Sequence, residues 1–265
     1  MVRERRRLLI DLVQRVDDGW KIELNDSEQH YLRRVLRLHV GEQVDVVNGQ
    51  GELWLATLED RGQLTLTSGL DSPRRSEPRL NHPLGLAVAL MRRDSDIWIR
   101  MACELGIDLI QPLLTDHCAP QAEQRPERWQ SIVRESVEQC ERLWMPIIEP
   151  VLPLQSWFTT MHGRAAMAVS RSSTTPSLSE WLEDESTSTP TWLLVGPEGG
   201  WSQAEELLAE SGQLQGVSLG VNILRSSTAA VRGAVELVKW RETQGSCPTH
   251  VHCDRSKDHD SHRLN

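Results

Sequence analysis

The sequence predicts an α/β protein in two parts, a small N-terminal β-barrel followed by a larger α/β domain on a mostly parallel sheet. Three observations carry this. Val44, Val46, Leu53, Leu55, Leu58, Leu64 and Leu66 fall largely in period-two runs, broken by turn signals at Asn48-Gly49, Gly51 and Arg61-Gly62. From Leu84 onward, short unbroken apolar runs alternate with helical stretches, as parallel strands covered on both faces require. Between them, residues 71–83 place Pro73, Pro78 and Pro83 among charges and read as a linker. The expected division is 1–72, 73–83, 84–241 and a tail over 242–265.

Taken in order, residues 27–38 form a short helix that interrupts the first set of strands. Residues 84–90 are a buried strand, 95–105 a helix ended by Gly106, 107–114 a strand and 126–143 a long helix. Strands follow at 147–151, 165–169 and 192–195, with helical stretches around Trp157 and Trp181. Ser202 is placed to cap a helix over 203–210, and a last helix runs from 226 to about 240. The tail is nearly devoid of apolar side chains and is expected to be disordered. Its Cys247, His250, His252 and Cys253 sit too close together for one tetrahedral cage, so no metal is expected.

Composition narrows the function. Apolar types at 38% of the 265 residues are enough for a core. The longest apolar stretch, 84–91, is less than half a membrane span, and Asp11 cuts short the apolar run after Arg3, Arg5, Arg6 and Arg7, so a cytoplasmic protein without membrane contact is expected. Five cysteines, an odd number, argue for reduced thiols. None of the three lysines follows a Walker glycine loop, and no dinucleotide, zinc-protease, calcium or deaminase signature occurs. The net charge of −9 weighs against a polyanionic partner, but the excess acid lies in 81–240, and Arg33, Arg34 and Arg37 cluster early. They are either a basic RNA-facing surface or the solvated face of a short helix.

Two glycine-bearing loops stand at strand ends, where ligands of such sheets bind. Leu194, Val195, Gly196, Pro197, Glu198, Gly199 and Gly200 turn the chain sharply and bare main-chain groups; three glycines exceed what a plain turn needs. The second loop carries Leu219, Gly220, Ile223 and Leu224, which alone read equally as core contacts or ligand walls.

These stretches also carry a resemblance. G-P-E-G-G at 196–200, S-L-G-x-x-I-L-R at 218–225 and T-A at 228–229 resemble the signature of the bacterial 16S rRNA uridine-N3 methyltransferases, the RsmE family of the SPOUT class. His30 to Arg37 with Gly41, Glu104-Leu105-Gly106, and Glu138-Gln139 with Arg142 and Pro146 agree in the same order. The resemblance implies a PUA-like RNA-binding barrel, a SPOUT domain with a trefoil knot, S-adenosyl-L-methionine (SAM) as cofactor, a homodimer, and 16S rRNA of the small ribosomal subunit as partner. It places the cofactor on 194–200 and 219–224 with Thr228, makes Arg225 and Glu198 the catalytic candidates, and gives Arg33, Arg34, Arg37, Arg100 and Arg142 to RNA. N3 carries a proton in neutral uracil, so an arginine at the carbonyls would hold the developing charge. The chain departs from the family at Ser227, where the family has Glu, at Arg100 and at Arg92 or Arg93, where it has lysines, and in the C-terminal extension. Two competitors stay open: another SPOUT enzyme acting on a ribose 2′-hydroxyl or a tRNA base, and a non-catalytic RNA-binding assembly factor.

Overall fold

The structure, a computed structural model, describes residues 6–11, 16–17, 20–122, 124–170, 175–183 and 190–244. Arg3, Arg5, the tail from 245 on and its Cys247, His250, His252 and Cys253 lie outside the described residues.

The N-terminal part is a sheet of short strands: β1 (Arg7–Leu9), β2 (Val16–Asp17), β3 (Lys21–Glu23), β4 (Gln43–Val47), β5 (Glu52–Leu58), β6 (Gln63–Leu66) and β7 (Arg75–Ser76). Its order is β1-β4-β5-β6-β3-β2, with β7 on β5; β1 runs parallel to β4 and the other pairs are antiparallel. Alternation decides which core each residue joins. Leu8, Ile10, Val44, Val46, Trp54, Ala56, Leu58, Leu64 and Leu66 point into the core of this sheet. Leu9, Val47 and Leu53, one position out of phase, join the larger core of the C-terminal part. The two parts therefore share strands β1, β4 and β5 as a wall.

The interrupting helix is shorter than its pattern suggested. An Asn25/Glu28 capping box starts α1 (Asp26–His30), which passes into a π-helical turn over Tyr31–Val35. The Leu36 N–H bonds to the Tyr31 carbonyl, and Arg37 ends the turn at φ 55. The stretch read as a linker contributes β7, whose Arg75 and Ser76 pair with Leu53 and Glu52; prolines and charges hid a two-residue strand.

The C-terminal part is strictly parallel. Its strands are β8 (Leu84–Ala89), β9 (Leu109–Leu114), β10 (Ile147–Ile148), β11 (Leu152–Pro153), β12 (Arg164–Ala168), β13 (Thr191–Val195) and β14 (Gln215–Val217). They lie in the order β10-β9-β8-β13-β12-β14, with β11 on β9. Every residue of β8 and β13 is buried, which accounts for their unbroken apolar runs. The strand expected at 147–151 stops at Ile148 ahead of Pro150, and the long helix stops at Cys140 because Glu141 takes a left-handed conformation, φ 63.

Among the described residues six helices, α2 to α7, cover this sheet or cap its edges. Helices α2 (Ser95–Leu105), α3 (Pro126–Cys140), α5 (Leu178–Glu183) and α7 (Ser226–Thr243) place Trp98, Ile99, Trp129, Val133, Trp181, Ala230 and Leu237 in the main core. On the other side α4 (Leu154–Thr160) and α6 (Gln203–Ser211) supply Trp157 and Ala209 to a second cluster with Met167, Trp192 and Leu194. Cys103, Cys118 and Cys140 are free thiols.

Candidate functional site

Strands β13, β12 and β14 are neighbours, and the loops leaving their C-terminal ends converge on a cleft of about 680 Å³. Its walls are Val195, Gly196, Pro197, Gly200 and Trp201 after β13, and Ser218 through Leu224 after β14, closed by Ser226 and Ala229 of α7. Of the residues expected to hold a cofactor, Val195, Gly196, Pro197, Gly200, Leu219, Gly220, Ile223 and Leu224 line it. Leu219 and Leu224 border the cleft and also pack on the main core, whereas Ile223 is largely exposed.

Four expected site residues fall elsewhere. Leu194 is fully buried in the core under the cleft, because it is a β13 residue facing α4 and α6. Gly199 stands against the next loop, where an added Cβ would come within 2.9 Å of the His117 Cβ. Thr228 and Glu198 are exposed and lie outside the cleft walls. Arg225 precedes the first turn of α7 in an extended conformation, and its guanidinium is exposed without an intramolecular hydrogen bond or ion pair among the described residues. It stands between two cleft residues, Leu224 and Ser226.

The glycines differ in why they are glycine. Gly200 (φ +76) and Gly220 (φ +128) take backbone conformations that side chains disfavour, with nothing within 4 Å of where a Cβ would stand. Both open onto free space that a side chain would occupy. Gly196 instead makes room for Trp201, whose indole would lie 2.9 Å from a Cβ there.

A third wall escaped the sequence reading. Ala168, Val169, Ser170, Thr175, Ser177 and Glu180 line the cleft from the end of β12 and the start of α5. This wall is tied to the other two: the Trp201 indole N–H donates to the Ala168 carbonyl at 2.9 Å, and Ser218 exchanges main-chain bonds with Pro176 and Leu178. The rule that ligands sit beyond strand ends pointed to β12 as much as to its neighbours, but the segment carries no glycine signal. The only charged side chains lining the cleft among the described residues are Glu180 and Glu206. Hydrogen bonds from the Ser177 N–H and hydroxyl hold Glu180 below the usual carboxylate range, so it is ionised near neutrality. A cleft with polar and apolar walls and two carboxylates favours a cationic ligand over a phosphate.

The expected RNA-contact arginines divide. Arg33, Arg34 and Arg37 are exposed on the N-terminal part, and Arg100 is exposed on α2 in an ion pair with Glu104 at 2.8 Å. Arg142 is a correction. It is largely buried and donates to the Cys103 and Ile107 carbonyls at 2.9 and 2.7 Å and to Asp108 at 3.0 Å, while Arg241 takes the other oxygen of Asp108. Its fork is consumed inside the molecule, holding the α2–β9 turn. Glu138 is likewise internal: its carboxylate accepts the Leu9 N–H at 2.9 Å, joining α3 to β1. Burial raises its pKa in spite of that bond.

Comparisons with known proteins agree with this architecture. Residues 78–235 match the family model of an RNA methyltransferase domain, and residues 24–67 that of an RNA methyltransferase PUA domain. A ribosomal RNA small subunit methyltransferase E from Synechocystis is 36% identical over 213 residues, 78% of this chain and 69% of that protein. One from Rickettsia conorii is 35% identical over 226 residues, 84% and 91% of the two chains. A crystal structure of the Neisseria gonorrhoeae protein of that name, bound to S-adenosyl methionine, superposes with a TM-score of 0.72 at 23% identity, over 91% of this chain and 98% of the other; this likeness speaks for the fold.

Proposed function

This chain belongs to the ribosomal RNA small subunit methyltransferase E family, and from that premise we propose that its cleft binds SAM and that it methylates N3 of a uridine in 16S rRNA. The observation that carries the reading is the convergence of both glycine loops on one cleft at adjoining parallel strand ends, with Glu180 and Glu206 its only charged lining among the described residues. When bound, SAM supplies an electrophilic methyl group on a sulfonium cation.

The chain's own residues do the rest. Gly200 and Gly220 leave room for the ligand, the main-chain groups of the two loops that are not engaged internally hold it, and the carboxylates favour its positive charge. Arg225, with a guanidinium that no internal partner engages among the described residues, offers a planar fork to the uracil carbonyls as N3 gives its proton to a carboxylate or to solvent water. Glu198 is a weaker participant, in polar alignment. Methyl transfer asks for in-line placement, so most of the acceleration comes from positioning. N3 lies on the Watson–Crick edge, so the base must be unpaired or flipped.

The wider reading follows the same premise. Arg33, Arg34, Arg37 and Arg100 contact RNA, residues 1–72 act as the RNA-binding part and 84–241 as the catalytic part, and the segment after β14 is threaded as a trefoil knot beside the loop after β13. A homodimer is supported by the exposure of Val221, Ile223 and Val235 near the cleft and on α7, and light scattering at micromolar concentration should report twice the mass of one chain. The working place is the cytoplasm, where ribosomal subunits are assembled; among the described residues no helix is long and apolar enough to cross a membrane.

Two measurements test the activity. Calorimetry should show SAM and S-adenosylhomocysteine binding to the folded chain; no binding of either would leave only an RNA-binding assembly factor. Reverse transcriptase should stop one nucleotide short of the modified base in treated small-subunit RNA. Read-through at a nucleotide that carries the transferred methyl would point to ribose methylation and overturn N3.

A further inference from the structure

The loop after β9, residues 115–118, does not line the cleft, yet it grips the first glycine loop from behind. The His117 Nδ1 lies 3.0 Å from the Gly200 carbonyl oxygen. A carbonyl can only accept, so Nδ1 carries the proton and donates. The neighbouring Asp116 N–H donates to Glu205 Oε1 at 2.9 Å, while Glu205 Oε2 accepts the Ser202 N–H at 2.8 Å. The Ser202 hydroxyl in turn donates to the Asp116 carboxylate at 2.6 Å. Glu205 is buried, so this carboxylate has both oxygens satisfied by main-chain N–H groups of two different loops.

Gly200 is held from both ends. Its carbonyl is taken by His117 and its N–H donates to the Pro197 carbonyl at 2.9 Å, in a φ +76 conformation that faces the cleft. Gly199 is glycine because His117 fills the space where a Cβ would go. A loop fixed before its ligand arrives loses less conformational freedom on binding, and the gain appears as affinity.

We infer that His117, backed by Asp116 and Glu205, is a positioning residue for cofactor binding, which it serves by fixing the Gly200 peptide through Nδ1–H. The inference rests on the reading of the cleft as a SAM site. His117 is exposed and outside the core, so its loss should leave the fold in place.

The test uses the full chain with His117→Ala and His117→Asn. Calorimetry with SAM should show about a tenfold loss of affinity for His117→Ala, the size of one hydrogen bond of ordinary strength. The KM for SAM should rise while kcat at saturating SAM is kept, and the melting temperature without cofactor should stay within about 2 °C. In the cofactor-free protein, hydrogen exchange of the segment 195–201 should accelerate. His117→Asn, whose amide N–H reaches a similar position, should recover most of both. Wild-type affinity and wild-type exchange in His117→Ala would overturn the inference, as would a fall in melting temperature that Asn does not rescue. If the wild-type chain binds no SAM, the cofactor reading fails, and the exchange rates alone decide whether His117 fixes the loop.

Discussion

The two loops that make the cleft are built in opposite ways. The first, 196–200, is braced: Trp201 packs on Gly196 and bonds to Ala168, His117 holds Gly200, and the Ser202/Glu205 capping box anchors its exit into α6. The second, 218–225, is open. It is fastened at Ser218 to Pro176 and Leu178, but beyond that point a Cβ at Gly220 would meet nothing within 4 Å, Val221 is fully exposed and Arg225 has no internal partner among the described residues. One wall is thus shaped in advance, and the other presents exposed apolar side chains and an arginine without an internal partner among the described residues. The same contrast separates two arginines that look alike in the sequence. Arg142 is spent on internal carbonyls and Asp108, whereas Arg225 is available.

Substitutions can break this comparison at several strengths. The largest effect is expected at the open loop: Gly220→Trp should abolish SAM binding by calorimetry, with a melting temperature only a few degrees lower, because its Cβ enters empty space. Normal binding would show that the cleft is misplaced. Arg142→Ala should cost about 3 kcal/mol in denaturant unfolding, since it leaves buried acceptors and weakens the hold on Asp108. RNA affinity of the folded fraction should be unchanged, and a selective loss of RNA binding would return Arg142 to the surface role first expected of it.

Arg225→Lys should lower turnover on the order of 100-fold while keeping most RNA affinity, because a point ammonium cannot replace the planar fork. Rising pH should partly restore it, as the base then deprotonates with less help. Normal turnover with weakened RNA binding would assign this side chain to phosphate. At the braced loop Glu205→Gln should cost about 1–3 kcal/mol of stability, since one of its two accepted N–H groups would meet an amide N–H. If stability and SAM affinity both stay at wild type, the bracing is dispensable.

The smallest effect is a pH slope at the joint between the two parts. Burial raises the Glu138 pKa from the ordinary 4.5, so between that value and the raised one the folded chain holds a proton that the unfolded chain has lost. Its contribution to stability is therefore greatest below about pH 4.5 and falls as pH rises through the raised pKa. Unfolding curves of Glu138→Gln should lack this fall; an unchanged slope would place it on another group.

The sequence by itself determined the class of fold, because unbroken apolar runs such as those of β8 and β13 are buried on both faces only in a parallel sheet. It also placed α2 at its observed bounds and Ser202 as a cap, since Gly106 and the Ser-x-x-Glu pattern are local signals read within one turn. The glycine loops were legible for the same reason. What lay beyond local signals was decided by packing. Nothing near Gly199 in the chain announces His117, which is brought there by β9 lying two strands away from β13. No local pattern marks the β12 wall of the cleft, the two-residue β7, or the burial of Arg142, whose partners lie 34 to 39 residues away. An arginine or a glycine has the same letter whether it faces a ligand or fills a neighbour's space; only the approach of distant segments settles which.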